Sequence, residues 1–199
     1  MSDQEDPRGQ VEDHVRLTPG ALRILTAAST LFYEQGIHAV GVDTIAAESG
    51  VTKRTLYDRF GSKEALVTSY LRQRHDQWWA RCQQRLETAE APRALTLFDS
   101  YLADVPLSGR GCAFLNAAAE LPEDHPGYEV IRSHKQFVRA RLAELIAEDG
   151  ESTQPERLAE HLFLLLEGAV AHRGIDGTAE RLQRARAMAE DLLANRTSS

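Results

Sequence analysis

The chain has 199 residues, with 23 Lys and Arg against 30 Asp and Glu, for a formal net charge of −7. That length can bury a real core, as one domain or as a small domain joined to a larger one. The only two cysteines, Cys82 and Cys112, make neither a disulfide framework nor a C-x-x-C zinc pair.

Residues 1–16 carry five acids against Arg8 and Arg16 with almost nothing apolar, which reads as a disordered tail that phosphate would repel. The N-terminus lacks the apolar stretch of a signal peptide, and no apolar run nears the ~20 residues of a membrane span. The expectation is a soluble, cytoplasmic protein in a reducing compartment. Thr18 and Pro19 then read as N-cap and first residue of a helix whose apolar stripe is Ile24, Leu25, Ala28, Leu31 and Phe32, stopped at Gly36. Helical periodicity continues almost to the end, broken at Gly50, Gly61, Pro92, 106–111, 122–127, 150–155 and 174–177. No segment shows sustained strand alternation. The fold class is all-α, with about nine helices.

Within this acidic chain, "GVTKRTLYDRFGSKEAL" packs Lys53, Arg54, Arg59 and Lys63 against Asp58 before its closing Lys-Glu pair. A helix carrying Ile45 and Ala46 inward precedes it. Gly50 supplies the turn, Thr52 caps the next helix, Gly61 ends it and Ser62 caps a third. Helix, glycine turn, helix is a helix-turn-helix. At ~100° per residue, Leu56 and Phe60 face the core while Arg54 and Asp58 point away, with Thr55 near them, Lys53 and Tyr57 on one flank and Arg59 on the other. Arg can bond guanine, Thr can touch a thymine methyl, and Tyr and Lys can reach phosphates. Lys63 opens a helix whose free N–H groups favour an anion. Asp58 is open to two roles, accepting from cytosine or restraining Arg54.

The block "VDTIAAESGVTKRTLYDRFGSKEALV", preceded by "ALRILTAASTLFYEQGIHAV", resembles the N-terminal domain of the tetracycline-repressor-type (TetR) transcriptional regulators over roughly residues 18–68. The resemblance implies an all-helical homodimer with one DNA reader and one C-terminal ligand-binding and dimerisation domain per chain. Matched residue by residue, it places phosphate or base contacts on Thr44, Thr52, Lys53, Arg54, Thr55, Tyr57, Arg59 and Lys63. Where many relatives open the second helix with Thr or Ser, this chain has Gly41, which lacks a hydroxyl to hold a phosphate. The expected division is 1–16 tail, 17–62 reader and 63–199 body.

In the body, Leu66, Val67, Tyr70, Leu71, Trp78 and Leu86 fit one long linking helix. Apolar stripes follow, and an effector cavity is expected among Trp78, Phe98, Phe114, Asn116, Tyr128 and Phe137, with residues 109–128 as a wall and Asn116 as its polar handle. Leu158, Leu162, Leu165, Leu166 and Ala169, widened by Phe163 and Leu164 and answered by Leu182, Ala185, Met188, Ala189, Leu192 and Leu193, give an excess of apolar surface that suggests a dimer interface through 156–194.

No catalytic signature is present, no cofactor is expected, and Asp124-His125 lacks a second metal ligand at helical spacing. The reading is a ligand-responsive transcriptional regulator, a repressor that binds a palindromic double-stranded operator as a dimer and is released by a small apolar effector. The alternatives are a redox-responsive regulator using Cys112, an architectural DNA-binding protein, or an enzyme on a helical scaffold.

Overall fold

The computed structural model describes residues 18–104, 109–150 and 152–195; the acidic tail expected at 1–16 lies outside them. Among the described residues there are nine helices and no strand. They are α1 (Pro19–Gln35), α2 (Val42–Ser49), α3 (Lys53–Phe60), α4 (Lys63–Leu86), α5 (Leu95–Ala103), α6 (Ala113–Glu120), α7 (Pro126–Glu148), α8 (Pro155–Asp176) and α9 (Glu180–Ala194). No described helix is long and apolar enough to cross a membrane.

Local chemistry sets the first four helices. Thr18 accepts from the Ala21 N–H, Thr52 from Thr55 and Ser62 from Ala65, each supplying an acceptor to a helix end that has none of its own. The turn between α2 and α3 needs φ +64° at Gly50, a left-handed conformation that costs glycine little. The first turn of α7 is capped unexpectedly by His125, whose Nδ1 accepts from the Gly127 N–H, giving that residue a structural task.

Helices α1 to α3 enclose Ile24, Ile45 and Leu56, all fully buried. The first turns of α4 close this small core, Tyr70 meeting Phe32 edge-on at 5.7 Å. Beyond it, α4 packs on α7 and α5, α7 on α8, and α8 on α9, which returns to α5. Arg186 ties α9 to Asp99 of α5 at 2.6 Å. Gly174, expected to break a helix, lies within α8; the break comes at Gly177. Its absent side chain matters instead for packing, since a Cβ there would stand 2.8 Å from the Arg110 carbonyl oxygen.

Candidate nucleic-acid interface and effector cavity

Helix α3 presents an exposed basic face. The Arg54 side chain is 91% exposed and lies 3.9 Å from the Asp58 carboxylate one turn on, the restraining geometry for Asp58. Tyr57 and Arg59 are exposed beside it. Lys53 pairs with Asp43 of α2 at 3.0 Å, a solvent-exposed contact that a phosphate could displace at a cost of about 1 kcal/mol or less. Thr52 and Thr55 hold their hydroxyls 2.9 Å apart at the start of the helix, and Thr44 is exposed on α2. These seven residues share one end of the molecule. Lys63 does not join them. Its ammonium donates to the Ile37 carbonyl at 2.7 Å and lies 6.0 Å from the Phe32 ring, so it fastens the α1–α2 turn to α4. Spacing along the chain could not show that a carbonyl from another turn had already taken this cation.

A cavity of about 70 Å³ opens in the body. Helix α4 gives it Arg74, Trp78 and Arg81, α5 gives Tyr101 and α7 His134, with Asp104 just beyond α5. Cys112, Ala113 and Phe114 close it at the start of α6, and Val170, Arg173 and Leu182 at the base. Of the six residues expected to line a cavity, only Trp78 and Phe114 do so. Phe98 is fully buried in the core. Asn116 stands two residues from Phe114, about 200° round the helix, and its amide donates to the Arg110 carbonyl at 3.0 Å. Tyr128 is six residues, or ~9 Å of helix, before His134 and stacks under Arg132. Phe137 lies in a separate groove between α4 and α7, against Trp79 at 4.7 Å. In the sequence each arginine alone reads as a solvated charge. Positions 74, 78 and 81, spaced i, i+4 and i+7 on one helix face, were the available signal.

One wall is a buried polar network. His134 stacks on Phe114 with centroids 3.8 Å apart, meets His75 Nδ1 to Nδ1 at 2.9 Å, and faces the Tyr101 hydroxyl at 3.3 Å. Burial, with the nearby Lys135 and His75, holds His134 well below the ordinary histidine pKa, and burial also lowers His75. The unfolded chain, titrating near 6.5, therefore binds protons that the folded chain refuses. Stability is fully present above that pH and falls as pH drops below it, by up to about 1.4 kcal/mol per pH unit for one histidine. Urea denaturation at pH 7.5 and 5.5 should show this loss, and His134→Gln should shrink it; an undiminished loss in the variant would contradict the assignment. Cys112 is buried beside this wall, its Sγ 3.7 Å from the Lys135 ammonium, which pairs with Glu167 at 2.7 Å.

Helix α6 joins the two regions. It starts at the cavity and ends at Glu120, whose carboxylate accepts from the His38 backbone N–H at 2.8 Å and whose carbonyl meets His38 Nε2 at 2.8 Å. His38 lies in the turn between α1 and α2.

Known proteins share this layout. The family model described as "Bacterial regulatory proteins, tetR family" matches residues 24–70. The structure of SCO4454, a TetR-family transcriptional regulator from Streptomyces coelicolor, superimposes with a TM-score of 0.82 at 30% identity, covering 90% of this chain and 96% of that one. The chain belongs to the TetR family. It is thus a DNA-binding transcriptional regulator of a family that does not consist of enzymes. The HTH-type transcriptional repressor DhaR of Mycobacterium sp. strain GP1 is 27% identical over 175 residues, 83% of this chain and 87% of its own length. FasR of Mycolicibacterium smegmatis, a transcriptional activator, is 39% identical over only 66 residues, about a third of either chain. The chain is thus similar both to a protein named as a repressor and to one named as an activator.

Apolar surface remains on the last two helices. Leu162 and Leu166, expected at the dimer face, are fully buried within the chain. Leu164 and Met188, expected on the same face, are 60% and 53% exposed, and with Leu165 and Leu192 they border a groove between α8 and α9. Helix α8 is apolar on several sides, so its periodicity has no single phase from which an outward face could be chosen.

Proposed function

We propose that this protein is a cytoplasmic, ligand-controlled repressor that binds a palindromic operator as a homodimer. The reader is 17–62, with bases read by Arg54 and Thr55 and phosphates held by Thr44, Thr52, Lys53, Tyr57 and Arg59; the body is 63–199. Two protomers pair through the α8–α9 groove, and a small molecule with a largely apolar body acts from the cavity beside Trp78 and Phe114.

The observation that carries this reading is α6, one rigid element with Phe114 in the cavity wall and Glu120 on the reader turn. A ligand that displaces its first turn shifts His38 and, through the Ile37 carbonyl, Lys63 and the start of α4. The spacing of the two readers changes, and a duplex presenting half-sites about one helical turn, ~34–36 Å, apart cannot follow. The sign of control is taken from DhaR, which matches along most of its length, over FasR, which matches over only 66 residues.

Mobility shift with the DNA upstream of the chain's own gene tests this. Retention of one fragment over competitor DNA is expected, with log affinity falling linearly in log salt. Sequence-blind retention would support an architectural protein instead.

A further inference from the structure

The cavity is cationic in an acidic chain. Among the described residues, Arg74, Arg81 and Arg173 line it against one acid, Asp104, while the chain as a whole carries −7. Asp104 is already committed to Arg81 through two hydrogen bonds, at 2.8 and 3.2 Å. Among the described residues, the Arg74 guanidinium has no carboxylate within ion-pair distance and lies 5.1 Å from the Tyr33 ring. Beside it in the wall, Trp78 is 5% exposed and its buried Nε1–H has no acceptor among the described residues. A buried donor left in this condition is unfavourable, and an acceptor group would relieve it. The remaining lining from Phe114, Val170 and Leu182 is apolar. The volume of about 70 Å³ corresponds, at about 10–15 Å³ per water-sized position, to a ligand of roughly five to seven heavy atoms.

We propose that the ligand of this cavity is a short-chain organic monocarboxylate, its carboxylate held by Arg74 and its carbon chain laid against Trp78, Phe114 and Leu182. The proposal rests on the reading of this cavity as the effector site and adds the polar end of the ligand. Guanidinium matches a carboxylate with paired N–H donors, a geometry that an alcohol cannot use and an amine opposes.

Calorimetric titration of the full chain with butyrate, butyramide, 1-butanol and butylamine tests it. Butyrate should bind at least tenfold more tightly than the other three. Arg74→Gln should lose tenfold or more of that affinity, Arg74→Lys, which keeps the charge but not the paired donors, should fall between Arg74→Gln and the wild type, and Arg72→Gln, outside the cavity, should leave it unchanged. Circular dichroism melts confirm that each variant folds; if Arg74→Gln does not, the ranking of the four probes on the wild type decides. Equal binding of butyramide or 1-butanol, unchanged butyrate binding in a folded Arg74→Gln, or no binding by any carboxylate of three to six carbons overturns the proposal. If butyrate binds as described yet leaves DNA affinity unaltered, the ligand class stands and the cavity's role in control falls. If 1-butanol releases DNA from the wild type but not from a cavity-filling variant, control stands and the ligand class falls.

Discussion

Replacing Leu164 and Met188 together with glutamate should yield a folded monomer whose affinity for a two-half-site operator drops by a factor of ~10² or more. Both side chains are more than half exposed, so the carboxylates remain hydrated and the single-chain fold loses little. In the proposed dimer the same positions are buried against the partner, where unpaired charges are strongly unfavourable. Each half-site would then have to be bound independently, without the ~10²–10⁴ advantage of joined modules. The informative control is Leu162→Glu. That residue is fully buried within one chain, so the carboxylate has no hydrated position in the folded state and the variant should unfold rather than dissociate. Analytical ultracentrifugation with circular dichroism distinguishes the outcomes. A Leu164→Glu, Met188→Glu protein that remains dimeric at micromolar concentration would place the interface elsewhere.

Bulk introduced at the cavity wall should imitate an effector. Ala113 is 4% exposed and opens α6 beside the cavity. Ala113→Phe should push that turn outward, costing about 1–3 kcal/mol in stability, and weaken operator binding by about 5- to 150-fold, the usual range of allosteric coupling. The displacement must travel to the reader through Glu120. Removing its carboxylate in Glu120→Ala takes the acceptor from the His38 N–H, so Ala113→Phe in that background should cost much less DNA affinity. Glu120→Gln, which keeps a carbonyl acceptor, should preserve more of the coupling. Fluorescence anisotropy on the four members of the cycle gives the interaction term directly. Strict additivity would mean that the Glu120 carboxylate does not carry the coupling between cavity and reader, leaving the Glu120 carbonyl contact with His38 as the remaining link.

The features legible in the sequence are those decided within one or two turns. Thr18, Thr52 and Ser62 cap as expected because a hydroxyl and the N–H three residues on are always near each other. Arg54 and Leu56 fall on opposite sides of α3 because helical geometry alone fixes the angle between them. What escaped was decided by elements distant in sequence. Lys63 meets a carbonyl 26 residues earlier, and Glu120 meets a turn 82 residues earlier. Asn116 suits a cavity by its chemistry, but a spacing of two carries it away from Phe114 on a helix. The cavity itself follows from helices on both sides of α4, and no single stripe carries that information.

The account rests most on α3 reading bases from a two-fold-symmetric pair. Site selection from random duplex DNA, run in parallel on wild type and Arg54→Ala, tests that directly. The wild type should select an inverted repeat with half-site centres about one helical turn apart. Arg54→Ala should keep the symmetry but lose preference at one base pair in each half, a discrimination of about 1–3 kcal/mol. A selected site without symmetry, or an Arg54→Ala profile indistinguishable from wild type, would contradict it.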